Sequence, residues 1–193
     1  MKHLKMSGAA VLLAALSTLA VASNATATTL EVGGVTQAGA VAITATLASG
    51  TTATLKTTSG TFLDTCTSSE IKGTTFSPYT ASAVGGGLST LTFNNCTHTT
   101  HVIFPGAFAV GWTAGTNGQV ASSGAEVEVE TTTFGVVLDC TTVADIIGNI
   151  TGTASGHATL DVNAVIDCGF FVPSAKWEGS YTVTSPTGLG VEA

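Results

Sequence analysis

The chain has 193 residues, 44% of them hydrophobic and only 9% charged, with a formal net charge of −7. Arginine is absent and lysine is confined to Lys2, Lys5, Lys56, Lys72 and Lys176. The clustered cations that neutralise nucleic-acid phosphate or an anionic membrane are therefore missing, and neither is an expected partner. Long Thr, Ser and Gly stretches suggest disorder, but a chain with this much hydrophobic content has the means to fold.

The chain opens on what reads as an export signal. Lys2 and Lys5 supply the positive start, residues 9–22 an apolar core too short to anchor in a bilayer, and Ala25-Thr26-Ala27 a small-residue cleavage site. Cleavage after Ala27 is preferred, with Ser23 as the second choice. No later hydrophobic stretch has membrane length, so residues 28–193 are expected as one exported domain without a transmembrane segment. Its expected place is outside the cell, at the cell surface or in a periplasm.

Residues 28–59 are Thr-rich and weakly amphipathic, broken by Gly33-Gly34 and Gly50. They are expected to form an edge strand or one donated to a neighbouring molecule. Period-two alternation then predicts strands at 41–47, 53–58, 62–66, 88–93, 102–104, 108–112, 126–130, 134–138, 146–151, 158–166 and 179–184. Within them Leu160, Val162, Ala164 and Ile166 share one face, and Glu126, Glu128 and Glu130 alternate with valines. Turns are predicted at Ser77-Pro78, Gly85-Gly86-Gly87, Thr116-Asn117-Gly118, Ser123-Gly124, Ser155-Gly156 and Ser185-Pro186. Short strands at this spacing indicate an all-β domain, an antiparallel β-sandwich or barrel with Greek-key connections.

Residues 60–193 carry a half-length echo. Gly-Thr-Phe-Leu-Asp-Thr-Cys-Thr at 60–67 returns as Gly-Val-Val-Leu-Asp-Cys-Thr-Thr at 135–142, each followed by one further cysteine. After an export signal the four cysteines are expected as disulfides. The echo selects Cys66 with Cys96 and Cys140 with Cys168, separations of 30 and 28 residues, giving two similar disulfide-closed halves. Zinc is not expected, because no Cys-x-x-Cys pair is present.

The segments 66–74, 88–96, 122–127 and 175–186 together resemble a group of small secreted bacterial β-proteins, mostly of unassigned function, and the likeness runs from Cys66 to the C-terminus. At greater distance, the layout of export signal, Thr/Ser/Gly-rich strands and four cysteines is similar to the secreted alkane-oxidation activator family. That resemblance implies aid to growth on hydrocarbons. It supports location and fold, and brings no catalytic motif with it.

The search for chemistry finds no nucleophile elbow, zincin helix, phosphate loop or dinucleotide fingerprint, and no cofactor or metal is expected. His98 and His101, three apart, would point to opposite faces of a strand. His157, beside Ser155-Gly156, is expected as a turn residue. Glu126, Glu128 and Glu130 could gather a hard cation such as calcium, but are expected as a solvated face that discourages edge pairing. Asp64 and Asp139, equivalent in the echo, are expected as hydrogen-bonders at turns or strand ends. Trp112 is expected at the core or its edge. Trp177, between Lys176 and Glu178, is expected partly exposed, where with Tyr181 or Tyr79 it could stack on a sugar ring; Trp177, Tyr181 and Trp112 are the candidate ligand face. Thr44 and Thr46, and Thr182 and Thr184, are isolated Thr-x-Thr pairs; Asn95 and Asn149 head glycosylation sequons.

The leading functional expectation is a non-enzymatic structural or interaction protein of the cell surface or matrix, self-associating through β edges. The alternative is a binding module for an apolar, hydrocarbon-related ligand or a glycan. An unrecognised hydrolase is the remote third, requiring His157 or His98 beside a Ser and an Asp.

Overall fold

The computed structural model describes residues 27–76, 82–131, 135–142 and 145–193. The expected export signal up to Thr26, the expected Ser77-Pro78 turn, Tyr79 and Phe134 lie outside the described residues. Every element within them is a β-strand. The first half holds β1 (Thr29–Val32), β2 (Val35–Thr36), β3 (Ala42–Leu47), β4 (Ala53–Thr57), β5 (Phe62–Thr75), β6 (Val84–Cys96), β7 (Thr99–Phe104) and β8 (Ala107–Ala114). There follow β9 (Asn117–Ser123), β10 (Glu126–Thr131), β11 (Val136–Thr141), β12 (Asp145–Thr151), β13 (Thr159–Ile166), β14 (Ala175–Ser185) and β15 (Leu189–Glu192).

Strands β3, β5, β6, β8, β9, β12, β13 and β14 pair in that order, and β14 returns to β3, closing an antiparallel barrel. Strand β4 continues β3 lower down the same gap between β5 and β14. In the same way β7 leads into β8, β9 into β10 and β11 into β12, with β7, β10 and β11 forming a second sheet below the first. The wall is thus eight long strands, four of them broken at mid-height. One break needs glycine: at Gly106 φ is +80°, and a Cβ would fall 2.5 Å from the Ala125 nitrogen. Another is stitched by Thr142, whose Oγ1 accepts from the Ala125 N–H at 3.0 Å.

Neighbours around the wall are also neighbours in sequence, so the connectivity is an up-and-down meander. The Greek-key crossover expected from the strand count is not present, because short turns at each end let every strand pair with the next. The ring divides into two sets of four stations, the first reaching back before residue 60 to include β3 and β4. Strands β3 to β8 and β9 to β14 each supply four stations of the ring, and each disulfide closes the open end of a long hairpin at the same station of its half. Cys66 lies directly opposite Cys96 on β5 and β6. Cys140 reaches Cys168 beside the Thr141–Asp167 bridge.

Alternation fixes which side chains go in. On β13, Val162 and Ala164 are buried while Asp161, Asn163 and Val165 are exposed; on β10, Val129 is buried and Glu130 exposed. The inward-facing set is mainly apolar, while the outer face mixes acids and hydroxyls with exposed Ile103, Phe104, Val137 and Val165. The chain ends cap one mouth. Strand β1 pairs with β15 and β2, burying Leu30, Leu189 and Val191, and the Val191 N–H donates to the Thr116 carbonyl at 3.0 Å. Residues 28–59 therefore complete their own chain's sheets.

Candidate functional site

The barrel lumen contains two chambers. The one nearer the capped mouth has ≈ 80 Å³ open to the centre of a water molecule, and the one nearer the disulfides ≈ 50 Å³. All eight wall stations contribute to each. The upper chamber is walled by side chains such as Ile43, Ile71, Phe108, Val120 and Ile147, with Ser122 its one hydroxyl. The lower is walled by Leu55, Phe93, Val127 and Ile166, with Thr54, Asp64, Thr100 and Thr142 at its margins. Among the described residues no Lys or His lines either chamber.

The upper chamber owes its floor to glycine. A Cβ on Gly86 would lie 2.3 Å from the Phe108 ring, and one on Gly73 2.9 Å from it, so the ring lies on bare backbone. Phe76 covers Gly85 and Gly87 from outside. The Gly85-Gly86-Gly87 run, expected as a turn, is therefore the start of β6, with aromatic rings replacing the missing side chains on both faces.

The charged group beside the lower chamber is saturated. Asp64 is buried, and its Oδ1 accepts from the Thr65 N–H (2.8 Å), the Thr97 hydroxyl (2.7 Å) and the His98 N–H (3.0 Å), while Oδ2 accepts from Thr100 (2.5 Å). The carboxylate ties the β6–β7 turn to β5. Asp139, its counterpart in the echo, is exposed on the outer wall. The cause is a one-residue shift: Asp64 stands two before its cysteine and shares its face, whereas Asp139 stands one before and takes the opposite face.

The ligand face expected from Trp177, Tyr181 and Trp112 does not form on the surface. Trp177 is 9% exposed and Tyr181 0%. Lys176 and Glu178 misled the reading, because on a strand the flanking residues point the other way. They lie on the outer wall, where Lys56 pairs with Glu178 at 2.7 Å. That hydrogen-bonded ammonium holds the Glu178 carboxyl below its ordinary value; an exposed pair of this kind contributes under about 1 kcal/mol. Trp112 is half-buried near the capped mouth, its indole donating to the Gly115 carbonyl at 2.8 Å. Trp177 instead lines both chambers, packed edge-to-face on Phe93 with ring centroids 5.6 Å apart. Among the described residues its buried indole N–H has no hydrogen-bond partner.

Tyr181 donates to Ser69 Oγ at 3.2 Å. Burial pushes its phenol up from 10.0 to about 12; Ser69, and the Trp177 N–H lying near but outside hydrogen-bonding geometry, pull weakly the other way. A raised pKa in the folded state gives stability that is complete below the unfolded value and lost as pH climbs through the folded one. Between pH 10 and 12 the protein is expected to lose on the order of 2 kcal/mol through this group. Urea unfolding across that window tests it. Tyr181→Phe should flatten the fall, and an equally steep fall in the variant would rule Tyr181 out as its source.

The remaining candidates do not converge. His98 lies in the β6–β7 turn, its N–H on Asp64, and His101 is exposed on β7. His157 is an exposed turn residue whose Nδ1 lies 2.8 Å from the Val183 carbonyl, and among the described residues no hydrogen bond joins its ring to a Ser or an Asp. Glu126, Glu128 and Glu130 project from the outer wall, with Glu128 between His101 and Asp139 in register. Among the described residues, the one group close enough to hold a metal is Asp64 with Cys66 and Cys96. Its sulfurs are joined to each other and its carboxylate is already engaged. Asn95 has φ of 51° at the end of β6, and Asn149 is exposed on β12. Thr46 and Thr182, isolated in sequence, are direct cross-strand partners; Lys72 and Glu70 on the next strand interrupt the hydroxyl patch. Among the described residues no helix is long and apolar enough to cross a membrane. No family model, curated protein or solved structure matches the chain.

Proposed function

We propose that this barrel is an exported, non-enzymatic binding protein that holds a small neutral apolar molecule in its lumen. The observation that carries the reading is the pair of interior chambers walled almost entirely by apolar side chains from all eight strand stations. Barrels of about eight strands are wide enough to hold one small ligand, and an apolar cavity stays dry until an apolar guest fills it. The two disulfides suit an oxidising compartment, and the resemblance to a secreted family associated with growth on hydrocarbons points to the same ligand chemistry.

Saturating the oxidised protein with benzene is expected to raise its thermal midpoint. Ligand at ten times its Kd stabilises the folded state by about 1.4 kcal/mol. No shift at saturation would remove the reading.

A second reading, self-association at the cell surface, draws on exposed aromatics at the disulfide end. Phe170 and Phe171 are 94% and 64% exposed on the β13–β14 connection, and Phe62 is 59% exposed near the β4–β5 turn. Closure of the ring weakens the version that relies on open β edges. Light scattering across a concentration series separates the two: growth in mass supports self-association, a constant monomer mass discards it.

A further inference from the structure

We infer that Trp177 is the specificity-determining residue of the lumen. It divides the barrel interior into two short chambers, so that the protein accepts neutral apolar molecules no larger than about one benzene ring and refuses extended chains. This rests on the lumen-binding reading above and adds the class of ligand.

The two chambers share three wall residues, Leu91, Ala125 and Trp177. Ala125 ends at Cβ and Leu91 is short, so the indole is the group with the reach to separate the two spaces. It is held there from several sides. Strand β14 is paired at Trp177 with Leu55 on one flank and Ala164 on the other, and Phe93 packs edge-on against the ring. With its N–H unpartnered among the described residues, no hydrogen bond fixes the ring and packing holds it.

The volumes set the size limit. At ≈ 50 and ≈ 80 Å³, each chamber falls short of the roughly 150 Å³ in which an apolar cavity takes up benzene. A benzene ring is thus the upper limit, and the larger chamber admits it only with outward movement of its walls. A ten-carbon chain needs both chambers and the space the indole occupies. Charge is refused separately. Among the described residues no cation lines the lumen, and the one ionisable side chain there, Asp64, already has its donors. A ligand carboxylate would find at most the single Trp177 N–H and no cation, so its charge would be buried unpaired.

Calorimetric titration of the oxidised protein with benzene, 1-decanol and decanoate tests this. The parent is expected to bind benzene, to bind decanol at least about tenfold more weakly, and to leave decanoate unbound. Trp177→Ala should tighten decanol binding by about tenfold or more while decanoate stays unbound. Truncating a buried indole is costly to folding, so Leu91→Ala, which opens the same partition from β6, is the second variant, and the parent's own benzene-to-decanol ratio needs no variant. Equal affinity of the parent for benzene and decanol, or decanol binding unchanged in both variants, would overturn the partition. Decanoate binding as tightly as decanol would overturn the restriction to neutral ligands. If none of the three binds parent or variants, the lumen-binding reading fails, and the partition with it.

Discussion

Replacing Asp64 by alanine is expected to lower folding stability by about 3 to 5 kcal/mol, because a buried charged acceptor is removed from four donors at once. The hydroxyls of Thr97 and Thr100 can turn to other acceptors. The backbone fixes the other two donors: the Thr65 N–H keeps the Thr97 hydroxyl at 3.1 Å, while the His98 N–H loses the carboxylate. Asp64→Asn should recover most of the loss. Its Oδ1 can still accept from Thr65, Thr97 and His98, and its amide can donate to a Thr100 hydroxyl turned to accept. Urea unfolding of parent and both variants decides the matter. A loss under about 1 kcal/mol in the alanine variant would mean that the turn holds without the carboxylate.

The second large effect is expected from the disulfides, and it should differ in kind between them. On chain entropy alone, loops of 30 and 28 residues each contribute about 3 to 4 kcal/mol. The native-state consequences are unequal. Strands β5 and β6 are paired from Cys66–Cys96 up to Thr75–Gly86, so the hairpin remains zipped when its bond is cut. Strand β13 pairs with β12 only between Thr159 and Val162, and meets β11 at the single Thr141–Asp167 bridge. Changing Cys140 and Cys168 to Ser should therefore also open the wall locally, seen as faster amide exchange along β11 in the folded state. Changing Cys66 and Cys96 to Ser should not speed exchange along β5. Equal acceleration in both variants would contradict this account of the wall.

Much of the architecture was legible because alternation is a strong signal where both partners are unambiguous. Glu126 to Glu130 against their valines, and Leu160 to Ile166 against Asp161 and Asn163, report face and strand together. The echo gave the disulfide pairing because it recurs at the same station of each half. What escaped was mostly inward-facing polarity and glycine. Beyond Cys66, β5 continues to Thr75 by turning Ser69, Gly73 and Thr75 inward, and β9 turns Gly118, Val120 and Ser122 inward. Neither reads as an apolar stripe.

The Greek-key expectation followed from the number of strands, which does not distinguish a meander from a crossover; only pairing does. Composite strands hid the count as well, since Pro105-Gly106 and Gly124 look like hairpin turns but are kinks within a continuing strand. The lumen was least visible of all. Its walls come from eight separate segments, and Trp177 was masked by charged neighbours that belong to the opposite face.

The most direct measurement is a crystal structure of the oxidised protein pressurised with xenon, an apolar guest small enough for either chamber as it stands. Strong xenon density in the lumen on both sides of the Trp177 ring is the predicted result. Xenon confined to the outer surface, or a lumen filled by ordered water bonded to its walls, would contradict an apolar binding site.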